Sequence, residues 1–134
     1  MTNKEIAEKW SKHPSLAEFL DPVRIRLKST YLNHPLFKLL YVRQGKYMLK
    51  TKSIPNAIIC EKCIQISLIE STHPKNGAFK SLIKGIEKMV PDWYIIVELV
   101  HNSGFRKKLP ELGFERIETH DFLSFVKIPI GAFL

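Results

Sequence analysis

The spacing of apolar residues changes along the chain and divides it into three parts. In residues 1–32, capping-box patterns at 2–5 and 15–18 each precede apolar residues on one helical face, which predicts N-terminal helices. Residues 23–31 fit both an alternating strand and a helix, and we favour a helix through about Tyr31.

The middle of the chain has the short alternating runs and turn signals of strands. Gln44-Gly45 predicts a hairpin turn between two of these runs, and Glu61-Lys62 separates two more. Ser53-Ile54-Pro55-Asn56 breaks the pattern between the pairs. We therefore expect an antiparallel meander of three or four strands, at 37–43, 46–50, 57–60 and 63–70.

The second half alternates helices and strands. Residues 77–90 have apolar side chains at helical spacing and predict an amphipathic helix, whose opposite side carries Lys80, Lys84 and Lys88. The apolar run Trp93–Val100 is typical of a strand buried on both faces. The remaining predicted elements are a short helix at 105–112 that ends at Gly113, and strands at 114–118 and 122–127.

Composition narrows the class of protein. The 134 residues fit one domain, and a hydrophobic content of 45% supplies enough apolar material for a core. The longest apolar stretch is too short to cross a bilayer and no apolar signal segment follows Met1, so we expect a cytoplasmic protein without membrane contact. The net charge of +8 favours anionic partners such as a phosphate-rich cofactor or nucleic acid.

The junction between the predicted strand 63–70 and the helix 77–90 has features of a phosphate-binding loop. The first backbone N–H groups of a helix are unpaired and carry the positive end of its dipole, so they can hold a pyrophosphate. Gly77 permits close approach, and Lys75 and Lys80 add positive charge. Many loops contain Gly and Lys, however, so this loop alone is equally consistent with a structural turn.

A second segment, 100–115, makes the pattern more specific. It contains Asn102 after a strand, then a short helix and the turn Leu112-Gly113-Phe114-Glu115. In this order and spacing the segment resembles the second signature of the GNAT family of acyl-CoA N-acyltransferases. The junction at 68–82 resembles the acyl-CoA loop of that family, and the resemblance covers roughly 39–127.

The resemblance implies a fold. It is an α/β (α+β) GNAT-like domain spanning 1–134, with a mixed central sheet that is splayed between its fourth and fifth strands and flanked by helices. Residues 1–32 would form N-terminal helices, 37–71 the antiparallel meander and 72–134 the cofactor-binding half.

The resemblance also implies an activity, the transfer of an acyl group from acetyl-CoA or another acyl-CoA to an amine. The backbone at 70–72 would run beside the pantetheine arm, the amides at 75–78 would hold the pyrophosphate, and Asn102 would face the cofactor. The implied cofactor contacts are Glu70, Ser71, Thr72, Lys75, Asn76, Gly77, Ala78, Phe79, Lys80, Asn102 and Arg106.

Some positions depart from the family pattern. Gly77 is the only glycine of a loop that is usually rich in glycine, and Phe79 replaces a small residue. Leu109 occupies the position of a Tyr that often protonates the leaving thiolate, and Pro110 interrupts the short helix. An alternative is therefore a catalytically weak or inactive binding module, whose basic surface would bind nucleic acid. A third possibility combines the two, an acyltransferase that acts on a nucleic acid base or on a substrate bound to nucleic acid.

Amine acylation also requires a base. Glu98 lies inside an apolar strand, where burial would raise its pKa, and Glu70 ends the strand that leads into the cofactor loop. His101 and His73 follow the same two strands and are further candidates. For each of the four, a solvated or locally paired side chain is the alternative interpretation.

Cys60 and Cys63 form a CxxC pair. Zinc would need two further ligands, and no second CxxC or close His pair accompanies them, so we expect no metal site. The more ordinary interpretation places two structural thiols opposite each other across a Glu61-Lys62 hairpin turn. The sequence leaves both a monomer and a homodimer open.

Overall fold

The computed structural model describes residues 19–20, 28–31, 37–71, 77–98, 100, 103–118 and 123–133. The N-terminal helices predicted for 1–32 lie outside the described residues, except at 19–20 and 28–31. In the described part the strands are β1 Lys28–Tyr31, β2 Phe37–Gln44, β3 Tyr47–Leu49, β4 Ile58–Cys60, β5 Cys63–Ser71, β6 Tyr94–Val97, β7 Phe114–Arg116 and β8 Phe125–Lys127. The helices there are α1 Ala78–Met89 and α2 Ser103–Lys108, with 3₁₀ turns at Pro110–Leu112 and Ile130–Phe133.

The described strands make the chain a small α+β protein with a mixed sheet. Six strands lie in the order β1-β2-β5-β6-β8-β7, and β3 and β4 form a separate two-stranded sheet. Strands β5 and β6 are the one parallel pair among them, and the helix α1 connects the two. The mixed, mostly antiparallel sheet predicted from the sequence is thereby confirmed for this part of the chain.

The predicted hairpin turn at Gln44-Gly45 is wrong. Strand β2 pairs with β5, and β3 pairs with β4, so the chain bends at Gly45-Lys46 and does not reverse there. The reversal lies instead at the predicted break, where the backbones of Thr51 and Ile54 exchange two hydrogen bonds. The result is one long bent hairpin. Strands β2 and β3 form its first arm, and β4 and β5 form its second arm, antiparallel to the first.

The helix favoured through Tyr31 is also wrong at its end. Residues 28–31 form β1, which pairs antiparallel with β2 from Lys28 opposite Gln44 to Tyr31 opposite Tyr41. The exposed edge of β2 supplies a row of backbone hydrogen-bonding partners. That tertiary pairing outweighs a weak local helical tendency.

The amphipathic helix is confirmed. Helix α1 buries Leu82, Ile83 and Ile86 against the sheet, whereas its lysines are exposed. The same core contains Ile64 and Ile66 of β5. Strand β6 is shorter than the predicted 93–100. Both of its faces are buried as expected, since Ile95, Ile96 and Val97 are all buried.

A second core covers the other face of the sheet. Leu49 and Cys60 of the β3–β4 arm pack there with Cys63, Ile96 and Val126. Because Cys63 and Ile64 are consecutive on β5, their side chains lie on opposite faces of the sheet. The helices therefore cover one face and the β3–β4 arm covers part of the other. No helix in the described ranges is long and apolar enough to span a bilayer.

Candidate functional site

The parallel pair β5–β6 positions the residues that the sequence analysis selected. Pairing runs from Cys63 opposite Tyr94 to Ile66 opposite Val97, and in the part of the chain that the structure describes no further parallel pair accompanies β5 to its end at Ser71. Beyond β6, the N–H of Val100 donates to the carbonyl of Leu123 at 2.8 Å. Among the described residues, the parallel pairing ends on the side of the sheet that precedes the predicted cofactor loop and Asn102.

An irregularity in β5 marks the same place. Val42 of β2 pairs with Ile66, but Tyr41 pairs with Leu68, which leaves Ser67 as the extra residue of a β-bulge. Bulges change the direction of a strand and are frequent near functional sites. Here the bulge falls directly after the last parallel pair, Ile66 and Val97.

Gly77 starts α1 with a geometry that suits an anion. Its φ of 70° lies in the left-handed region, and a Cβ added there would meet nothing within 4 Å. The first turn of α1 contains no acidic residue, and Lys80 is exposed beside it. The open space and the unpaired N–H groups of the first turn fit a pyrophosphate.

The other predicted cofactor contacts are placed only in part. Glu70 and Ser71 are the last residues of β5, and Ala78 is the first of α1. Residues Thr72, His73, Lys75, Asn76, His101 and Asn102 lie outside the described residues.

Phe79 and Arg106 lie where the two helices meet. The ring of Phe79 contacts that of Phe105 edge-on, with 4.8 Å between centroids, and lies 5.9 Å from that of Phe114. This aromatic contact directs Phe79 into the core, so only its backbone is available to a phosphate. Arg106 is half-buried on α2, directly after Phe105.

Glu98 belongs to a polar cluster on the face opposite the helices. Its Oε1 accepts a hydrogen bond from Nη2 of Arg43 at 2.5 Å and one from Oγ of Ser67 at 3.1 Å. The same Nη2 of Arg43 donates to Oε1 of Gln65 at 3.1 Å. The Glu98 side chain is 14% exposed and that of Arg43 is 43% exposed. Glu98 is therefore a paired carboxylate that solvent still reaches.

The site residues predicted from the sequence do not include Arg43, Gln65 or Ser67. A signal was present, because Cys63, Gln65 and Ser67 alternate along β5 and so share one face of a strand with a buried core. Gln65 is 5% exposed, and a buried amide needs hydrogen-bonding partners. Polar residues at Gln65 and Ser67 on this face therefore indicate a partner on a neighbouring strand, although they do not identify it.

The two cysteines are free and buried side by side at the base of the arm. The hairpin turn predicted between the two cysteines is wrong, because β4, which ends at Cys60, does not pair with β5, which begins at Cys63. Strand β4 pairs with β3 instead, and β5 lies between β2 and β6. The hydrogen bond with Cys63, followed by burial, raises the pKa of Cys60. The same hydrogen bond lowers the pKa of Cys63 despite burial, and Gln65 contributes. Within the described ranges, no group of three metal-binding side chains exists.

Leu109 is fully buried in the core beneath α1, and its carbonyl accepts hydrogen bonds from the N–H groups of Leu112 and Phe114. The 3₁₀ turn then begins at Pro110 and ends at Gly113, whose φ is 90°. The expected interruption of the helix at Pro110 is confirmed. Leu109 is thus a packing residue.

Comparison of the chain with models of protein families, with curated proteins and with solved structures finds no match. Its function is therefore inferred from the geometry of its own residues.

A cleft of about 350 Å³ lies away from these residues. Trp93 and Ile95 at the start of β6 line it, together with Ile130 and the ion pair of Lys127 with Glu87. Glu98 follows the opposite end of β6, so the cleft is separate from the predicted cofactor loop.

Proposed function

We propose that the chain is an N-acyltransferase of the GNAT type that transfers an acetyl or other acyl group from acyl-CoA to an amine. The observation that carries the proposal is the end of the β5–β6 parallel pair. Pairing stops at Ile66 and Val97, β5 continues to Ser71, and α1 begins soon afterwards at the left-handed Gly77. Ligands of open α/β sheets bind outside the carboxyl ends of neighbouring parallel strands.

Under this proposal, the CoA substrate lies beside the end of β5. The backbone of residues 70–72 would bind the pantetheine arm, and the amides of 75–78 would donate to the pyrophosphate. Lys80 and Arg106 would add positive charge near the phosphates, because one lies in the first turn of α1 and the other beside Phe105. Asn102 would face the substrate from beyond β6.

The reaction is a direct displacement. The amine nitrogen forms a bond to the thioester carbonyl carbon, the carbon–sulfur bond breaks, and CoA leaves as a thiolate that takes a proton from water. A base accepts the proton that the amine loses, and the candidates are Glu98, Glu70 and His101. A backbone N–H at 70–72 would stabilise the negative charge on the carbonyl oxygen.

Glu98 is the candidate base whose surroundings are described. It follows β6 directly, and its N–H still donates to the carbonyl of Ile66 at 3.0 Å. The Arg43 and Ser67 hydrogen bonds fix the carboxylate in one orientation. A fixed, partly exposed carboxylate at the end of the parallel pair supports a role in orienting an amine or accepting its proton.

Calorimetric titration with acetyl-CoA tests the proposal. We expect binding with a Kd tighter than about 1 mM, which corresponds to roughly −4 kcal/mol. Gly77→Glu should abolish binding, because it places a carboxylate where the pyrophosphate should lie. Gly77→Asn is the matched control, since Asn tolerates a left-handed backbone and adds no charge. No heat from the wild-type protein at millimolar acetyl-CoA would rule the proposal out.

Leu109 favours the binding-module alternative. Its side chain is buried in the core, so no side chain at this position can protonate the leaving thiolate. Release of CoA thiol in the presence of a panel of amines distinguishes the two. Binding of acetyl-CoA without amine-dependent thiol release supports the module, whereas amine-dependent release supports the enzyme.

A further inference from the structure

The helix-covered side of the protein carries a concentrated positive charge. We define the basic helix face as six residues: Lys80, Lys84 and Lys88 of α1, and Arg106, Lys107 and Lys108 of α2. Five of them are exposed, and Arg106 is half-buried. None of the six forms an ion pair with another described residue.

Several cations elsewhere in the described part are neutralised. Arg43 pairs with Glu98 and Lys127 with Glu87. Lys46 pairs with Glu61 and Lys62 with Asp92. The one acidic residue of α1, Glu87, is therefore already occupied by Lys127, and α2 has none. On these two helices, no acidic side chain is therefore left to neutralise the basic helix face.

The lysines of α1 form a row along that helix, and α2 adds three consecutive basic residues. On α1, successive lysines are four residues apart, which places them about 6 Å apart along the helix axis. The Phe79–Phe105 contact joins α1 to α2, and each ring directly precedes a basic residue of the face, Lys80 or Arg106. A row of cations on a rigid helix is complementary in sign to the repeated negative charges of a nucleic-acid backbone.

The aromatic residues near this surface indicate which form of nucleic acid fits. Phe79 and Phe105 are half-buried and pack on each other, so neither presents an open ring for stacking. Proteins that bind single strands without sequence preference rely on such stacking. The B-DNA major groove is wide enough to admit an α-helix, so the lysine row of α1 can lie between its two phosphate backbones, whereas the major groove of duplex RNA is deep and narrow.

We propose that the basic helix face binds the phosphate backbone of double-stranded DNA without reading its sequence. The proposal requires no acyl-CoA, although Lys80 and Arg106 of this face also belong to the implied cofactor contacts. Lys84, Lys88, Lys107 and Lys108 lie outside the implied cofactor contacts, so they can be changed without altering that site.

Fluorescence anisotropy with a labelled DNA duplex of about 20 base pairs tests the proposal. Contacts to six phosphates predict a slope of log K against log salt concentration of about −5. The variant Lys84→Gln/Lys88→Gln/Lys107→Gln/Lys108→Gln should reduce that slope by about 3 to 4 and weaken binding roughly a hundredfold at low salt.

A matched control removes the same charge from the other side of the sheet. Lys46→Gln/Lys50→Gln/Lys52→Gln/Lys62→Gln changes four exposed lysines on and beside the β3–β4 arm, so both variants have the same net charge. We expect this control to keep nearly the wild-type affinity, and circular dichroism should show both variants folded. Equal weakening in the two variants would overturn the proposal, as would a salt-independent affinity. Tighter binding of single-stranded DNA or of duplex RNA would overturn the assignment to double-stranded DNA.

Discussion

Arg43 and Glu98 are joined by an ion pair across an intervening strand. Nη2 of Arg43 lies 2.5 Å from Oε1 of Glu98, although the residues are 55 positions apart in sequence. Arg43 is opposite Gln65 in the β2–β5 register, and Gln65 is beside Ile96 in the β5–β6 register. Three strands must therefore be in register before the pair can form.

This pair predicts a measurable coupling in stability. Glu98→Gln should lower the free energy of unfolding by about 1 to 3 kcal/mol, because it weakens charge-assisted hydrogen bonds at a partly buried site. Arg43 Nε is buried without a hydrogen-bond partner among the described residues, so Arg43 depends strongly on its Nη2 contacts. Arg43→Gln should cost a similar amount.

Urea unfolding of both single variants and of the double variant measures the coupling. We expect the double variant to be about 1 kcal/mol more stable than the sum of the single effects predicts. The exposed pair Lys46–Glu61, with 3.7 Å between its charged atoms, is the control and should show a coupling below about 0.5 kcal/mol. Additive effects of Arg43→Gln and Glu98→Gln would contradict the prediction.

Introducing at Leu109 the Tyr that the GNAT resemblance implies should destabilise the protein. Leu109 is fully buried, so Leu109→Tyr forces a larger, polar side chain into the core at a cost of about 1 to 3 kcal/mol. Leu109→Met conserves volume and should cost less than about 1.5 kcal/mol. Thermal unfolding of the two variants checks the order. A Leu109→Tyr protein as stable as the wild type would contradict the prediction, because it would mean that the tyrosine side chain is not forced into the core.

The elements with strong periodicity could be predicted from the sequence, and those that depend on distant partners could not. Helix α1 follows from the apolar spacing of Leu82, Ile83 and Ile86, a local property. Strand β1 is set by the edge of β2, and the bend at Gly45 by the separate pairing of β2 and β3. The local pattern at 23–31 fits both a strand and a helix and cannot choose between them, and no local pattern marks the bend at Gly45.

The candidate site divides in the same way. Gly77 could be located from the sequence, since a glycine before an amphipathic helix is a local signal. Its φ of 70° lies in the left-handed region that glycine adopts more readily than other residues. The partners of Glu98 could not, because Arg43 and Ser67 reach it only through the registers of three strands and a bulge.

The left-handed conformation of Gly77 predicts a backbone cost at this position. Gly77→Ala should lower stability by about 1 to 2 kcal/mol, since a Cβ disfavours that conformation. The space around it is open, so no clash contributes. Gly77→Asn should cost less, because Asn visits this region more readily. Chemical denaturation orders the variants, and equal stability of wild type and Gly77→Ala would contradict the argument.

The buried cysteine pair predicts a directional change in thiol titration. The hydrogen bond from Cys60 is the largest cause of the lowered pKa of Cys63, so Cys60→Ala should raise the pKa of Cys63. Thiolate absorbance in the ultraviolet follows the titration of each folded variant. Cys63→Ala is the reciprocal control and should lower the pKa of Cys60, whose thiol loses the neighbour that raises it. An unchanged Cys63 titration in Cys60→Ala would mean that the two thiols do not interact.

Tyr94 predicts how stability changes at high pH. Burial, and secondarily the charge of Cys60, raises the pKa of Tyr94 above its ordinary value of 10.0. The folded state therefore favours the neutral phenol, and this contribution to stability is complete below pH 10 and is lost as the pH rises through the raised pKa.

Tyr94→Phe removes the phenol and should flatten the fall in stability above pH 10, while the two proteins respond alike between pH 7 and 9. Urea unfolding of both proteins across this range measures the difference. Tyr47→Phe, at a half-buried tyrosine on β3, is the matched control for loss of a hydroxyl. If wild type and Tyr94→Phe lose stability in parallel above pH 10, the phenol of Tyr94 is solvated in the folded protein and the assigned cause is wrong.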